Sequence, residues 1–263
     1  MWVAQNKPYG SIISYYLSEV TQEKTVRLSI LDSSGRLLRV LSGPGDAGVN
    51  RTSWNLREDP RLDAQPEFEK EWLPPNVNGV RVLPGKFRVR LEALGETAEQ
   101  EFEVRMDPNV HSTPEDLAAL YKGSKRLVSM EYSMDAALER IRRIDAHLED
   151  FSKSGSNPEL AKQADEIRKS LAAVRADIVP PRFDPEHLNL MPRIGEFTNE
   201  VSNYSGRPTA AQEEYIDAFG DQLRSVLARL DDVIEKQLKP LNDQLAASHV
   251  PNISPELELT SAK

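Results

Sequence analysis

The hydrophobic repeat of this chain changes once, at Asp107-Pro108. Before that point apolar residues recur at every second position; after it they recur in alternating steps of three and four. A strand with one buried face produces the first pattern, and a helix with one buried stripe produces the second. A single switch predicts an α+β chain of two domains, strands first and helices after, rather than interleaved βαβ units. The 263 residues suffice for two ordinary domains.

Six segments carry the two-residue period: SIISYYL (Ser11–Leu17), TVRLSIL (Thr25–Leu31), RLLRVL (Arg36–Leu41), NRTSWNL (Asn50–Leu56), KFRVRLEAL (Lys86–Leu94) and EQEFEVRM (Glu99–Met106). In the fifth, Phe87, Val89 and Leu91 share one face while Arg88, Arg90 and Glu92 share the other, as in a half-buried antiparallel strand. Asp32-Ser33-Ser34-Gly35 reads as a hairpin turn between two strands. Short strands with turns between them predict an immunoglobulin- or fibronectin-III-like antiparallel β-sandwich over 1–108. The stretch 58–79, with Phe68 and Trp72 among charges and prolines, reads as an irregular insertion, longer than a simple hairpin loop.

The helical half, 109–250, announces its own starts. Thr113-Pro114-Glu115, Asn157-Pro158-Glu159 and Asp184-Pro185-Glu186 each place a capping side chain, a first-turn proline and an acid in order. Thr209 and Gln212 form a capping box. Stops fall at Gly155, Pro180-Pro181, Gly206 and Pro251. The first helix (about 114–151) and the last (about 210–247) are each roughly 57 Å long at 1.5 Å per residue, and the segments at about 158–178 and 185–204 are half that. Laid end to end, the two short segments match a long one. The expected assembly is a long helical bundle of three rods, the middle one broken at VPPRFDPE; a four-helix up-down bundle is the alternative, but it leaves half of each long helix uncovered. Pro192 and Gly195 are expected to kink the third segment. Residues 251–263 read as a flexible tail.

Charge and composition exclude whole classes. A net charge of -9 repels polyphosphate and anionic lipid, so no nucleic-acid partner is expected. No apolar run reaches the roughly 20 residues that span a bilayer, so no membrane insertion is expected. The start, MWVAQNKPYG, lacks the apolar core of a signal peptide. Zero cysteines rule out disulfides, thiol nucleophiles and thiolate metal sites, but leave the compartment open.

No catalytic set emerges from the remaining residues. His111, His147, His187 and His249 lack the paired spacing of a zinc site. Glu213, Glu214, Asp231, Asp232 and Glu235 fall on the polar side of the last helix, with no pocket to raise a carboxyl pKa for glycoside chemistry. Ser42–Gly48 is glycine-rich, but it joins two strands and lacks the helix N-terminus that a phosphate loop needs. In RIRRID (Arg140–Asp145), Ile141 and Ile144 take the buried stripe and the arginines a solvated face. Asn50-Arg51-Thr52 fits the N-glycosylation pattern, a match common by chance. Among the aromatics, Trp54 reads as core; Trp72, with Phe68 beside it, is the candidate contact for a partner or a glycan.

The runs NKPYGSIISYYL, LDSSGRLLRVLSGPGDAGVNRTSWNLR, VLPGKFRVRLEALG and FEVRMDPNV, followed by LMPRIGEFTNEV, RPTAAQEEYIDAF and LARLDDVIEKQLKPLNDQL, resemble the C-terminal region of large bacterial β-propeller proteins. These are the sortilin-like proteins with BNR/Asp-box repeats, often labelled glycosyl hydrolases. The β-part also looks like the immunoglobulin-like domain of the flagellar hook-capping protein, through its Trp-containing strand, Pro-Gly turn and alternating strand. The resemblance implies a module placed after an exported propeller, and hence a periplasmic or secreted setting. No Asp-box is present here, and the family's functional residues have no counterparts in this chain. The expectation is a non-catalytic accessory or interaction module that needs no cofactor, with the preceding propeller or another protein as partner. A carbohydrate-binding sandwich is the alternative. The heptad-like stripes also permit a homodimer.

Overall fold

A computed structural model of the protein describes residues 9–62, 79–154, 157–180, 189–248 and 250–254. It is α+β, with strands preceding helices in the chain. Two compact units emerge. The first holds the described residues up to 125 together with 204–207, and the second holds the rest. The division falls at Lys125/Arg126, inside the first helix, rather than at the expected boundary of 108.

In the first unit, β1 (Ser11–Leu17) pairs antiparallel with β4 (Gly48–Trp54). The second sheet runs β3-β2-β5-β6, with β2 at Thr25–Asp32, β3 at Leu37–Pro44, β5 at Gly85–Ala93 and β6 at Glu96–Val104. The alternation sorts as anticipated. Phe87 faces Phe102 and Leu91 faces Ala98 on the inner side, while Lys86–Glu103, Arg88–Glu101 and Arg90–Glu99 form rungs of opposite charge on the outer side. β4 ends at Trp54, two residues earlier than expected, because Leu56 adopts φ 61 and leaves the extended conformation.

The core of this unit gathers on Trp54, which is fully buried with Ile30, Leu38, Val82 and Phe87. Its ring meets Phe87 edge-on at 5.6 Å and Phe102 at 6.0 Å, and its indole N–H donates to the Arg57 carbonyl at 2.9 Å. The Tyr15 hydroxyl reaches from one sheet to the other and donates to the Pro44 carbonyl at 2.6 Å. Gly43 makes room for it, since a Cβ there would sit 2.3 Å from the Tyr15 oxygen. The 58–79 stretch leaves and re-enters through one gate. Glu58 N–H donates to Val80 O at 2.9 Å, Gly79 N–H donates to Glu58 O at 3.1 Å, and Arg57 bridges Arg81.

Helix α1 (Pro114–Ser154) opens with reciprocal bonds between Thr113 and Asp116. In the second unit Leu127, Met130, Met134, Ala137, Ile141, Ile144 and Leu148 are buried in three-four alternation, with Val128 buried beside Leu127. Helix α2 (Pro158–Ile178) follows the same rule from Leu160 to Ile178 and is capped by the Asn157 side chain. Arg168 ties it to α1, 2.8 Å from Asp145 and 3.2 Å from Glu149. Helix α3 (Leu190–Ser202) begins later than expected; the Asp184-Pro185-Glu186 start lies outside the described residues. Its Pro192 falls in the first turn, where no intrahelical N–H bond exists to break, so the anticipated kink has no cause there. Asn189 does not cap α3. Its amide donates instead to the Ala176 carbonyl near the end of α2.

The last rod is α4 (Ala210–Val233), a π turn (Ile234–Leu238) and α5 (Lys239–Ala247). The Thr209–Gln212 capping box forms as read. Along the rod the buried steps are three and four up to Val233; the adjacent Ile234 is buried as well, and from it Leu238, Leu241 and Leu245 resume steps of four, three and four, so the stripe shifts by one residue. The Lys239 N–H bonds to the Ile234 carbonyl, five residues back, which widens that turn and absorbs the shift just ahead of Pro240. Beyond the rod, Ile253 is buried and held at both backbone groups by the Asn242 side chain, each at 2.8 Å, so the expected loose tail does not begin at Pro251.

Candidate functional site

The most concentrated chemistry in the first unit surrounds Glu58. Backbone bonds from Glu58 and Asp59 to Val80 and Leu38 fix its position, and its side chain is 7% exposed. One carboxylate oxygen accepts from the Tyr121 hydroxyl at 2.7 Å and from Arg36 at 3.1 Å; the other lies 3.8 Å from the Lys125 ammonium. Arg36 is itself aligned by Asp32 at 3.2 Å. Burial, reinforced by the neighbouring Glu58 carboxylate, raises the Tyr121 phenol above its ordinary value. A phenol held protonated on a buried carboxylate fastens the two elements that carry them. The group brings the first turns of α1 against the strands of the same unit.

In the second unit Glu131 and Asp135 lie one helical turn apart on α1, half-buried among its apolar stripe. Burial pushes both carboxyls above their ordinary values. For Glu131 a hydrogen bond with Thr198 of α3 partly reverses that shift, and the charge of Asp135 adds to it. Among the described residues these are the two carboxyls raised above their ordinary values, and sequence reasoning missed them. Their only signal was two acids at i, i+4 beside the buried Met130 and Met134, where a solvated face was not available.

The acids picked out on the last helix are all exposed: Asp231 pairs with Arg140 at 3.5 Å, Asp232 with Lys236 at 2.8 Å and Glu235 with Lys239 at 3.1 Å. His111 and His147 are exposed and far apart in sequence, while His187 and His249 lie outside the described residues. Among the described residues no three His, Asp or Glu side chains converge to hold a metal ion. Trp72 and Phe68 also lie outside the described residues, as does Trp2. Trp54 is core, and the strongly exposed aromatic rings among the described residues of the first unit are Tyr9 at 65%, Tyr16 at 70% and Tyr204 at 60% exposure.

Two open clefts accompany these groups. One, of about 430 Å³, lies in the second unit between α2, α3 and α4, where Arg193 donates to Gln222 at 3.1 Å and lies 5.1 Å over the Phe219 ring. The other, of about 280 Å³, lies in the first unit where the end of β1 passes the β5–β6 hairpin. Leu17, Leu91, Ala93 and Ala98 line it, with Tyr16, Glu19 and Glu96 among the residues at its margin. No family model, curated protein or solved structure matches this chain.

Proposed function

We propose that the chain is a non-catalytic accessory module, an immunoglobulin-like sandwich joined to a three-rod bundle with a broken middle rod, which acts as a scaffold or protein-docking unit. Its place would be at the C-terminal end of an exported β-propeller protein. The strand order β1-β4 against β3-β2-β5-β6 and the end-to-end contributions of α2 and α3 beside α4 support the architecture.

The observation that carries the functional reading is the Glu58 cluster. The buried Glu58 carboxylate is engaged by Tyr121, Arg36 and Lys125, all of them groups that hold elements together. A catalytic carboxylate keeps a lone pair or a proton for its substrate. Two measurements test the reading. Co-expression of the chain with the region encoded upstream in the same frame should give a stable complex with a β-propeller; no propeller, or no complex, removes the parent-protein part. Turnover of glycoside or peptide substrates by the chain alone, lost in Glu131→Gln or Glu58→Gln while the fold persists, removes the non-catalytic part.

A further inference from the structure

We propose that the outer edge of β1 receives an extended segment of another protein as an added strand, apolar at alternate positions and carrying a Lys or Arg at the end that lies beside Leu17. This deepens the docking reading above and rests on it, by naming the surface and the class of partner.

Three independent features converge on this edge. Among the described residues β1 pairs only with β4, in a sheet of two strands set against a sheet of four. Two strands alone are marginal in water, and a third supplies the missing ladder. Next, the sheet edges are not protected alike. β6, the edge of the larger sheet, carries Glu96, Glu99, Glu101 and Glu103, the usual defence against strand addition. β1, Ser-Ile-Ile-Ser-Tyr-Tyr-Leu, carries no charge and no proline, and its outward Ile12 and Tyr16 are exposed, Tyr16 opposite Val49 of β4, itself 76% exposed. Finally, the inner face of β6 is uncovered toward the β5–β6 hairpin, while Phe102 further along packs into the core. Ala98 and Gln100 share the core-facing side with Leu91 and Val89, yet both are exposed.

A strand laid about 4.8 Å beyond β1 turns every second side chain inward. Near Leu17 those side chains meet the 280 Å³ cleft, whose floor of Leu17, Leu91, Ala93 and Ala98 takes an apolar group of valine or isoleucine size. The carboxylates lining that cleft are Glu19 and Glu96, beside the phenol of Tyr16, with no Lys or Arg in the lining. A basic residue at that end of the incoming strand therefore completes the charge pattern, whereas an acidic one meets two carboxylates. Backbone hydrogen bonds supply affinity, and the cleft with its two acids supplies orientation and selectivity.

The test uses the full chain and a displayed library of random twelve-residue peptides. Recovered peptides should alternate apolar residues and end in Lys or Arg; fluorescence anisotropy then gives their Kd. Methylating alternate backbone amides of such a peptide should abolish binding, because the ladder donors are gone. Ala98→Arg, which fills the cleft from an exposed position, and Glu19→Lys with Glu96→Lys should each weaken binding about tenfold or more, the second pair reversing the preference toward acid-ended peptides. Failure to recover peptides, or binding indifferent to both N-methylation and Ala98→Arg, overturns the proposal. So does a concentration-dependent homodimer broken by Ala98→Arg, or peptide binding that emerges only once residues 1–8 are removed, since the edge then belongs to a second copy or to this chain. A propeller complex that survives all of these variants sinks the β1 edge while leaving the scaffold reading intact.

Discussion

The Tyr121 hydroxyl donates to the Glu58 carboxylate at 2.7 Å, joining a helix residue to a strand-loop residue 63 positions earlier in the chain. Tyr121→Phe removes the donor and leaves a buried carboxylate short of one bond, which is expected to lower stability by about 1–3 kcal/mol in denaturant unfolding. The phenol is raised above its ordinary value of 10.0 and must stay protonated to donate. The contribution is thus fully present below pH 10 and disappears as pH rises through the raised value. Wild type and Tyr121→Phe should therefore converge in stability at strongly alkaline pH. Parallel curves across that range would show that the bond contributes nothing.

Glu131 gives the opposite opportunity. Its folded carboxyl is raised above the ordinary 4.5, chiefly by burial, so the fold favours the protonated form. Stability tied to this group is present below pH 4.5 and is lost as pH rises through the raised value. Glu131→Gln should move the denaturant midpoint upward at pH 7 and leave it unchanged at pH 3. Asp135, also raised by burial, faces the same cost and adds repulsion at neutral pH, so a larger gain is expected when both acids are replaced by amides.

Gly43→Ala should cost about 1–3 kcal/mol, because the new methyl would stand 2.3 Å from the Tyr15 oxygen and 2.9 Å from a Leu28 methyl. Tyr15→Phe deletes the nearer obstacle. A double-mutant cycle should show Gly43→Ala costing less in the Tyr15→Phe background, and strict additivity would mean that the clash is relieved elsewhere.

Asn242 holds Ile253 by its backbone N–H and carbonyl. Asn242→Ala should release that segment locally, with faster hydrogen exchange at the Ile253 amide and little change at Leu230 or Leu241 deeper in the rod. Unchanged exchange at Ile253 would mean that its buried side chain suffices to hold it.

The parts of the fold that local spacing dictates could be read directly. The stripe from Leu160 to Ile178 and the alternation Phe87–Val89–Leu91 needed no partner to identify, because each residue's face follows from its position in its own element. Three kinds of feature escaped. Glu58 looked like one acid in a charged loop, since the groups that saturate it come from Arg36, Tyr121 and Lys125 in different elements. Glu131 and Asp135 belong to no motif, and a helix of known period gives no hint of which neighbour lies against it. Trp72 and Phe68, the contacts favoured from sequence, lie outside the described residues. The uncharged edge of β1 was visible as letters, but its meaning depended on knowing that β4 is its only partner among the described residues.

The wide turn ahead of Pro240 puts one residue more between Val233 and Leu241 than an unbroken helix would, and the adjacent Ile234 carries the buried stripe onward. From Val233, Leu241 and Leu245 lie eight and twelve positions on; dropping a residue from 235–237 would make those intervals seven and eleven, the natural repeat of an unbroken helix. The same loss would set the proline within continuous α-helix, where its ring collides with the preceding turn. Wide turn and proline are thus a matched couple: the turn accommodates the ring, and the ring excludes the unbroken helix.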